Sequence, residues 1–125
     1  MTSRFAQWTL DVHDLDTMRS FWSQALGYRV DSCDQGHTHL RPPEDASPES
    51  LSVWLQPTAA PKRDKNRNHP DLVATDGNVD AEVERLLALG ATRADVGQTG
   101  REGFVVLADP EGNRFCIVDL SHQYA

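Results

Sequence analysis

The feature that most constrains this chain is an internal repeat, because two copies of one unit must fold alike. Leu15, Met18, Phe21, Trp22, Ala25 and Leu26 recur at helical spacing, with Asp14 placed to cap the first free N–H groups and Gly27 to end the helix. Val79, Val83, Leu86 and Leu87 repeat the stripe, stopped by Gly90, so Ala25-Leu26-Gly27 is answered by Ala88-Leu89-Gly90 about half a chain later. Each helix follows a strand-like segment. Gln7–His13 alternates, with Trp8, Leu10 and Val12 on a core-facing side and Gln7, Thr9 and Asp11 on the other, and His69–Ala74 occupies the matching place before the second helix. Further strands are predicted at Tyr28–Cys33, His37–Arg41 and Leu51–Gln56 in the first half, and at Thr92–Val96, Phe104–Ala108 and Arg114–Leu120 in the second. Asp109-Pro110-Glu111-Gly112-Asn113 sets up the last hairpin. Each half reads βαβββ. Arg41–Ser50 reads as a loop, and Pro57–Asn68, with Lys62, Arg63, Lys65 and Arg67, as a solvated linker between the halves.

A length of 125 residues suits a single domain, 1–125, with one module over about 1–60 and the other over about 61–125. A net charge of −7 disfavours phosphate backbones and anionic lipid, so no nucleic-acid or membrane partner is expected. With 38% hydrophobic and 25% charged residues the chain supports a core but no bilayer span. Residues 1–7 lack the apolar run of a secretory signal, so a cytoplasmic location is expected, with Cys33 and Cys116 as reduced thiols.

Two βαβββ halves, the segment Phe21-Trp22-Ser23-Gln24-Ala25-Leu26-Gly27-Tyr28 and the turn Asp109-Pro110-Glu111-Gly112-Asn113-Arg114-Phe115 together resemble the glyoxalase/bleomycin-resistance, or vicinal oxygen chelate, superfamily. The resemblance implies an α+β fold in which the two modules form a U-shaped, partly closed mixed sheet around a pocket, with helices outside. It also implies homodimers, and a divalent metal held by one residue from the first and one from the last strand of each half. Those positions are Gln7 and Trp54 in the first half and His69 and Cys116 in the second; Gln7 to His69 and Trp54 to Cys116 are both steps of 62 residues.

This chain has no carboxylate at either last-strand position, where the family's metal chemistry draws on one. Trp54 offers no lone pair and Gln7 only a weak neutral oxygen, so no metal cofactor is expected. The alternative is one divalent ion (Zn, Ni, Fe or Mn) on Gln7, His69 and Cys116, with Cys116 otherwise a small buried thiol. Strand alternation turns Leu51, Val53, Leu55, Phe115 and Ile117 toward the helices, and Ser52, Trp54, Gln56, Arg114, Cys116 and Val118 toward the pocket. Trp54 is then the residue to stack on a flat or apolar ligand. Asp71, on the face of His69, orients that imidazole, acts as a general base, or pairs with Arg114. Pro70 between them marks an edge, a bulge or a break. His37 and His39 share a strand face and read as an exposed pair beside a Gly turn rather than as metal ligands.

The expected function is metal-free binding of a small organic molecule through Gln7, Thr9, Asp11, Trp54, His69, Asp71, Arg114 and Cys116. The alternative is a lyase or isomerase using an atypical His69/Cys116 metal site, or His69 or Asp71 as catalytic base.

Overall fold

A computed structural model describes residues 1–32, 36–62, 64, 66–94 and 103–119. The chain forms two compact units, Met1–Lys62 and Arg63–Ala125. In the first, β1 (Gln7–Val12) and α1 (Leu15–Leu26) precede β2 (Arg29–Ser32), β3 (Thr38–Arg41) and β4 (Ser52–Pro57). The second repeats the order with β5 (Asp71–Leu72), α2 (Val79–Leu89), β6 (Thr92–Arg93), β7 (Phe104–Ala108) and β8 (Arg114–Val118). Each module is a four-stranded mixed sheet, ordered β1-β4-β3-β2 in one and β5-β8-β7-β6 in the other. In both, the first strand lies parallel to the last, and the remaining pairs are antiparallel.

The expected helix signals act as physics requires. The Asp14 carboxylate accepts from the Thr17 N–H and hydroxyl, and Gly27 adopts φ 67°, where its N–H bonds back to the Ser23 carbonyl. Asn78 caps α2 by accepting from the Ala81 N–H. The first core lies between α1 and its sheet: Leu10, Val12, Leu40, Val53 and Leu55 are buried with Met18, Phe21, Trp22 and Ala25. Trp22 packs edge-on against Trp8 and Phe21, with ring centroids 5.3 and 5.1 Å apart. In the second module Val83 and Leu86 of α2 are buried, as are Leu107, Phe115 and Ile117 of the sheet. No helix among the described residues is long and apolar enough to cross a membrane.

Several expectations are corrected. The strand expected over His69–Ala74 is only Asp71–Leu72, because Pro70 has no N–H to offer and β5 is an edge strand. The Pro70 carbonyl still accepts from the Cys116 N–H at 3.0 Å, so the proline sits at the edge and keeps its one usable backbone group paired. Leu51 lies outside β4 and is exposed instead of facing α1; without ladder bonds, strand alternation does not orient it, and its carbonyl accepts from the Tyr28 hydroxyl. β2 and β3 are shorter than expected, and Cys33, residues 95–96 and Leu120, where three expected strands end, lie outside the described residues. The linker is not simply solvated. Asn66 donates to the Asn113 side-chain oxygen at 3.1 Å and accepts from the Arg114 N–H at 3.3 Å, so it docks on the last hairpin.

That hairpin is held from inside. Asp109 is 2% exposed, and its carboxylate accepts from the N–H groups of Glu111 and Asn113 and from the Asn113 amide. Removing the carboxylate leaves buried donors unpaired, so Asp109→Ala is expected to cost about 3 kcal/mol in urea unfolding. Gly27 tests the opposite limit. A Cβ there meets nothing within 4 Å, so Gly27→Ala carries only the left-handed backbone penalty, about 1 kcal/mol by the same measurement.

Candidate functional site

In the first module, the sheet face turned away from α1 carries the polar residues of β1: Gln7, Thr9 and Asp11 are all exposed. The register sets Thr9 beside Trp54, Trp54 beside His39 and His39 beside Asp31, a row that runs across the whole sheet. At its centre the His39 and Trp54 rings stack, with centroids 4.2 Å apart and planes 10° from parallel. The indole Nε1–H donates to the Gln7 side-chain oxygen at 2.9 Å, which fixes the far end of the ring. Trp54 thus carries an aromatic partner on one side and a polar anchor at its edge.

His39 corrects the expectation of an exposed histidine pair. It is 8% exposed, and its Nε2 has no hydrogen-bond partner. Burial, and next the positive charge of Arg41, push its pKa below the usual imidazole value, while Asp31 opposes them. The ring is therefore neutral at pH 7. Arg41 itself is held by Asp31, Nε to Oδ2 at 2.7 Å. The sequence offered only an indirect signal, that His39 and Trp54 lie on successive strands; the register that sets one opposite the other is fixed across the loop between β3 and β4 and is not visible locally.

The second module builds a different cluster on the same frame. Asp71 of β5 lies opposite Cys116 of β8, and His69 stands two residues before Asp71. His69 Nδ1 lies 3.4 Å from Asp71 Oδ1, and the donor atoms of His69, Asp71 and Cys116 all fall within 4.8 Å of one another. Cys116 is buried, whereas His69 and Asp71 are exposed. Burial, then the negative charge of Asp71 and a hydrogen bond to it, push the Cys116 thiol up to about 11. In this state it is a neutral thiol and a poor nucleophile. Around it the sheet face is more apolar than expected: Val106, Cys116 and Val118 form a buried cluster, with Phe104 and Ala94 packed against them. Asp71 pairs with His69 and not with Arg114, whose backbone N–H instead bonds Asn66.

The predicted site residues therefore fall into two groups. Gln7 and Trp54 meet in one module, flanked by Thr9 and Asp11, and His69, Asp71 and Cys116 meet in the other, with Arg114 two residues from Cys116 on β8. The first group does not suit a metal. An indole has no lone pair outside its ring, and the Gln7 oxygen is already engaged by it. The second, with imidazole, carboxylate and thiol converging, does.

Residues 7–118 match the family model described as the glyoxalase-like domain. No curated protein matches the chain. Solved structures with the same fold include the fosfomycin resistance protein FosX from Listeria monocytogenes, in a monoclinic form at pH 5.75, with a TM-score of 0.74 at 18% identity, covering 99% of this chain and 98% of that one. A mutant of the Listeria FosX, complexed with Mn(II) and 1S,2S-dihydroxypropylphosphonic acid, gives 0.72 at 18% identity, covering 95% and 91%. A glyoxalase/bleomycin resistance protein/dioxygenase family enzyme from Burkholderia phytofirmans PsJN gives 0.65 at 18% identity, covering 92% and 97%. The chain belongs to the glyoxalase-like domain family, within the vicinal oxygen chelate superfamily.

Proposed function

We propose that this chain binds a small, flat organic molecule and does so without the four-ligand metal site that the family resemblance implies. The observation that carries the reading is the Gln7–Trp54–His39 assembly. Two positions at which the family would place metal ligands are bonded to each other, and they fix an indole in a single orientation. An indole backed by a second ring and tethered at its N–H is preorganised for stacking, so a ligand gains contact area without ordering the side chain first. The polar row of Thr9, Asp11 and Gln7 beside it offers hydrogen bonds that orient a ligand by its edge. The FosX mutant was solved with Mn(II) and a phosphonate; here the net charge of −7 and the absence of carboxylates at positions 54 and 116 favour a neutral, conjugated molecule instead.

The test is a titration of the full chain with quinolin-2-one, a neutral bicyclic lactam, followed by tryptophan fluorescence and by calorimetry. Saturable binding is expected, weakened about tenfold or more by Trp54→Ala. Binding unaffected by that change, or no binding at all, overturns the reading.

The stack also has a pH signature. Because the folded state lowers the His39 pKa from 6.5, it takes up the proton less readily than the unfolded chain does. The stability this gives is complete above the unfolded value and is lost as pH falls below it toward the folded value. Urea midpoints measured between neutral pH and mild acid should therefore fall more steeply for the native protein than for His39→Phe, which keeps a ring on Trp54 but has no proton to gain.

A further inference from the structure

We propose that the second module by itself holds a borderline transition-metal ion, Zn²⁺ or Co²⁺, through the His69 imidazole, the Asp71 carboxylate and the Cys116 thiolate. The inference is independent of the aromatic platform in the first module. It also departs from the family arrangement: Gln7 and Trp54 take no part, and Asp71, at a position the resemblance does not supply, provides the third ligand.

The parallel register of β5 and β8 generates the cluster. Asp71 stands directly opposite Cys116, and His69, two residues earlier in the chain, lies beside them, so the donor atoms of all three already lie within 4.8 Å of one another. The spacing of two of them is telling. His69 Nδ1 and Asp71 Oδ1 are 3.4 Å apart, too far for a strong hydrogen bond. Yet a tetrahedral ion with bonds of about 2.0 Å to nitrogen and oxygen separates two such donors by about 3.3 Å. The longer metal–sulfur bond, about 2.3 Å, places the thiolate slightly farther out, still inside the existing spread. Small side-chain rotations close the site, and the exposure of His69 and Asp71 leaves it open to entry.

Charge and donor chemistry select the ion. On binding, M²⁺ forms a bond to Sγ as the S–H bond breaks, and the proton leaves to the buffer. Thiolate and carboxylate together then neutralise the two positive charges, with a neutral imidazole as third ligand and the fourth position left to solvent. A sulfur, nitrogen and oxygen set favours Zn²⁺ and Co²⁺ over Mg²⁺, Ca²⁺ and Mn²⁺, which prefer all-oxygen shells.

The test is a Co²⁺ titration of the full chain under reducing, oxygen-free conditions. A near-ultraviolet thiolate-to-cobalt charge-transfer band is expected to saturate at about one equivalent, with about one proton released per ion, and to be displaced by Zn²⁺ but not by Mg²⁺. Cys116→Ser should abolish the band, while Cys33→Ser and Trp54→Ala leave it intact. Asp71→Asn and His69→Ala, at exposed positions where folding is not at stake, should each weaken Co²⁺ binding about tenfold or more. No band, a band that survives Cys116→Ser, or affinities indifferent to both Asp71→Asn and His69→Ala overturns the proposal. A positive result here alongside failed quinolin-2-one binding would leave this site standing and remove only the platform.

Discussion

The structure depends on one pairing made twice: the first strand of each module lies parallel to its last, β1 against β4 and β5 against β8. A parallel pair cannot be closed by a tight turn, so the chain between must travel out and return, and a helix followed by antiparallel strands is the path it takes. That single seam brings residues from opposite ends of a module into one row. Thr9 meets Trp54 and Asp71 meets Cys116, each pair at the same place in its copy. The functional candidates sit on one of these seams, on the strand beside it or, for His69, just ahead of the seam.

Sharing a frame has not meant sharing chemistry. In the first module the row is closed by rings and amides: an indole pinned by Gln7 and backed by a neutral imidazole. In the second it is closed by ionisable groups, with His69 and Asp71 at the exposed edge and Cys116 buried among Val106 and Val118. The backbone register dictates which positions meet, and the side chains placed there decide what the meeting does. A repeat is therefore a strong guide to geometry and a weak one to reactivity.

The same distinction explains what was legible beforehand. The helices, the start at Asp14, the stops at Gly27 and Gly90 and the alternation of β1 follow from local pattern, and they stand where that pattern puts them; the Asn78 cap of α2 is added by the structure. Gln7 with Trp54, and His69 with Cys116, are grouped by the family resemblance, and the step of 62 residues relates one group to the other; the ladders themselves set Trp54 opposite Thr9 and Cys116 opposite Asp71. What escaped was set by tertiary context. The burial of His39 depends on its stacking against a neighbouring strand, which no local pattern around His37-Thr38-His39 reveals. Asn66 looked like part of a polar linker because its partners, Asn113 and the Arg114 backbone, lie 47 and 48 residues away. The length of β5 turned on a proline whose missing N–H matters only on the strand it belongs to.

Cys116 shows how far environment outweighs residue identity. Its thiol sits in an apolar cluster, with the Asp71 carboxylate as its polar neighbour, and both raise the cost of the thiolate. The carboxylate acts in two opposed ways. Without a cation it accepts the thiol's hydrogen bond and repels the negative charge that deprotonation would create; with a cation between them, its charge becomes part of what holds the ion, and the thiolate is the favoured form. The apolar wall that keeps the thiol neutral also lowers the local dielectric, so that any charge pair formed there interacts more strongly than it would in water. One arrangement of Asp71, Cys116 and two valines thus supports either a quiet packed thiol or a neutralised metal centre, and the presence of the ion decides between them.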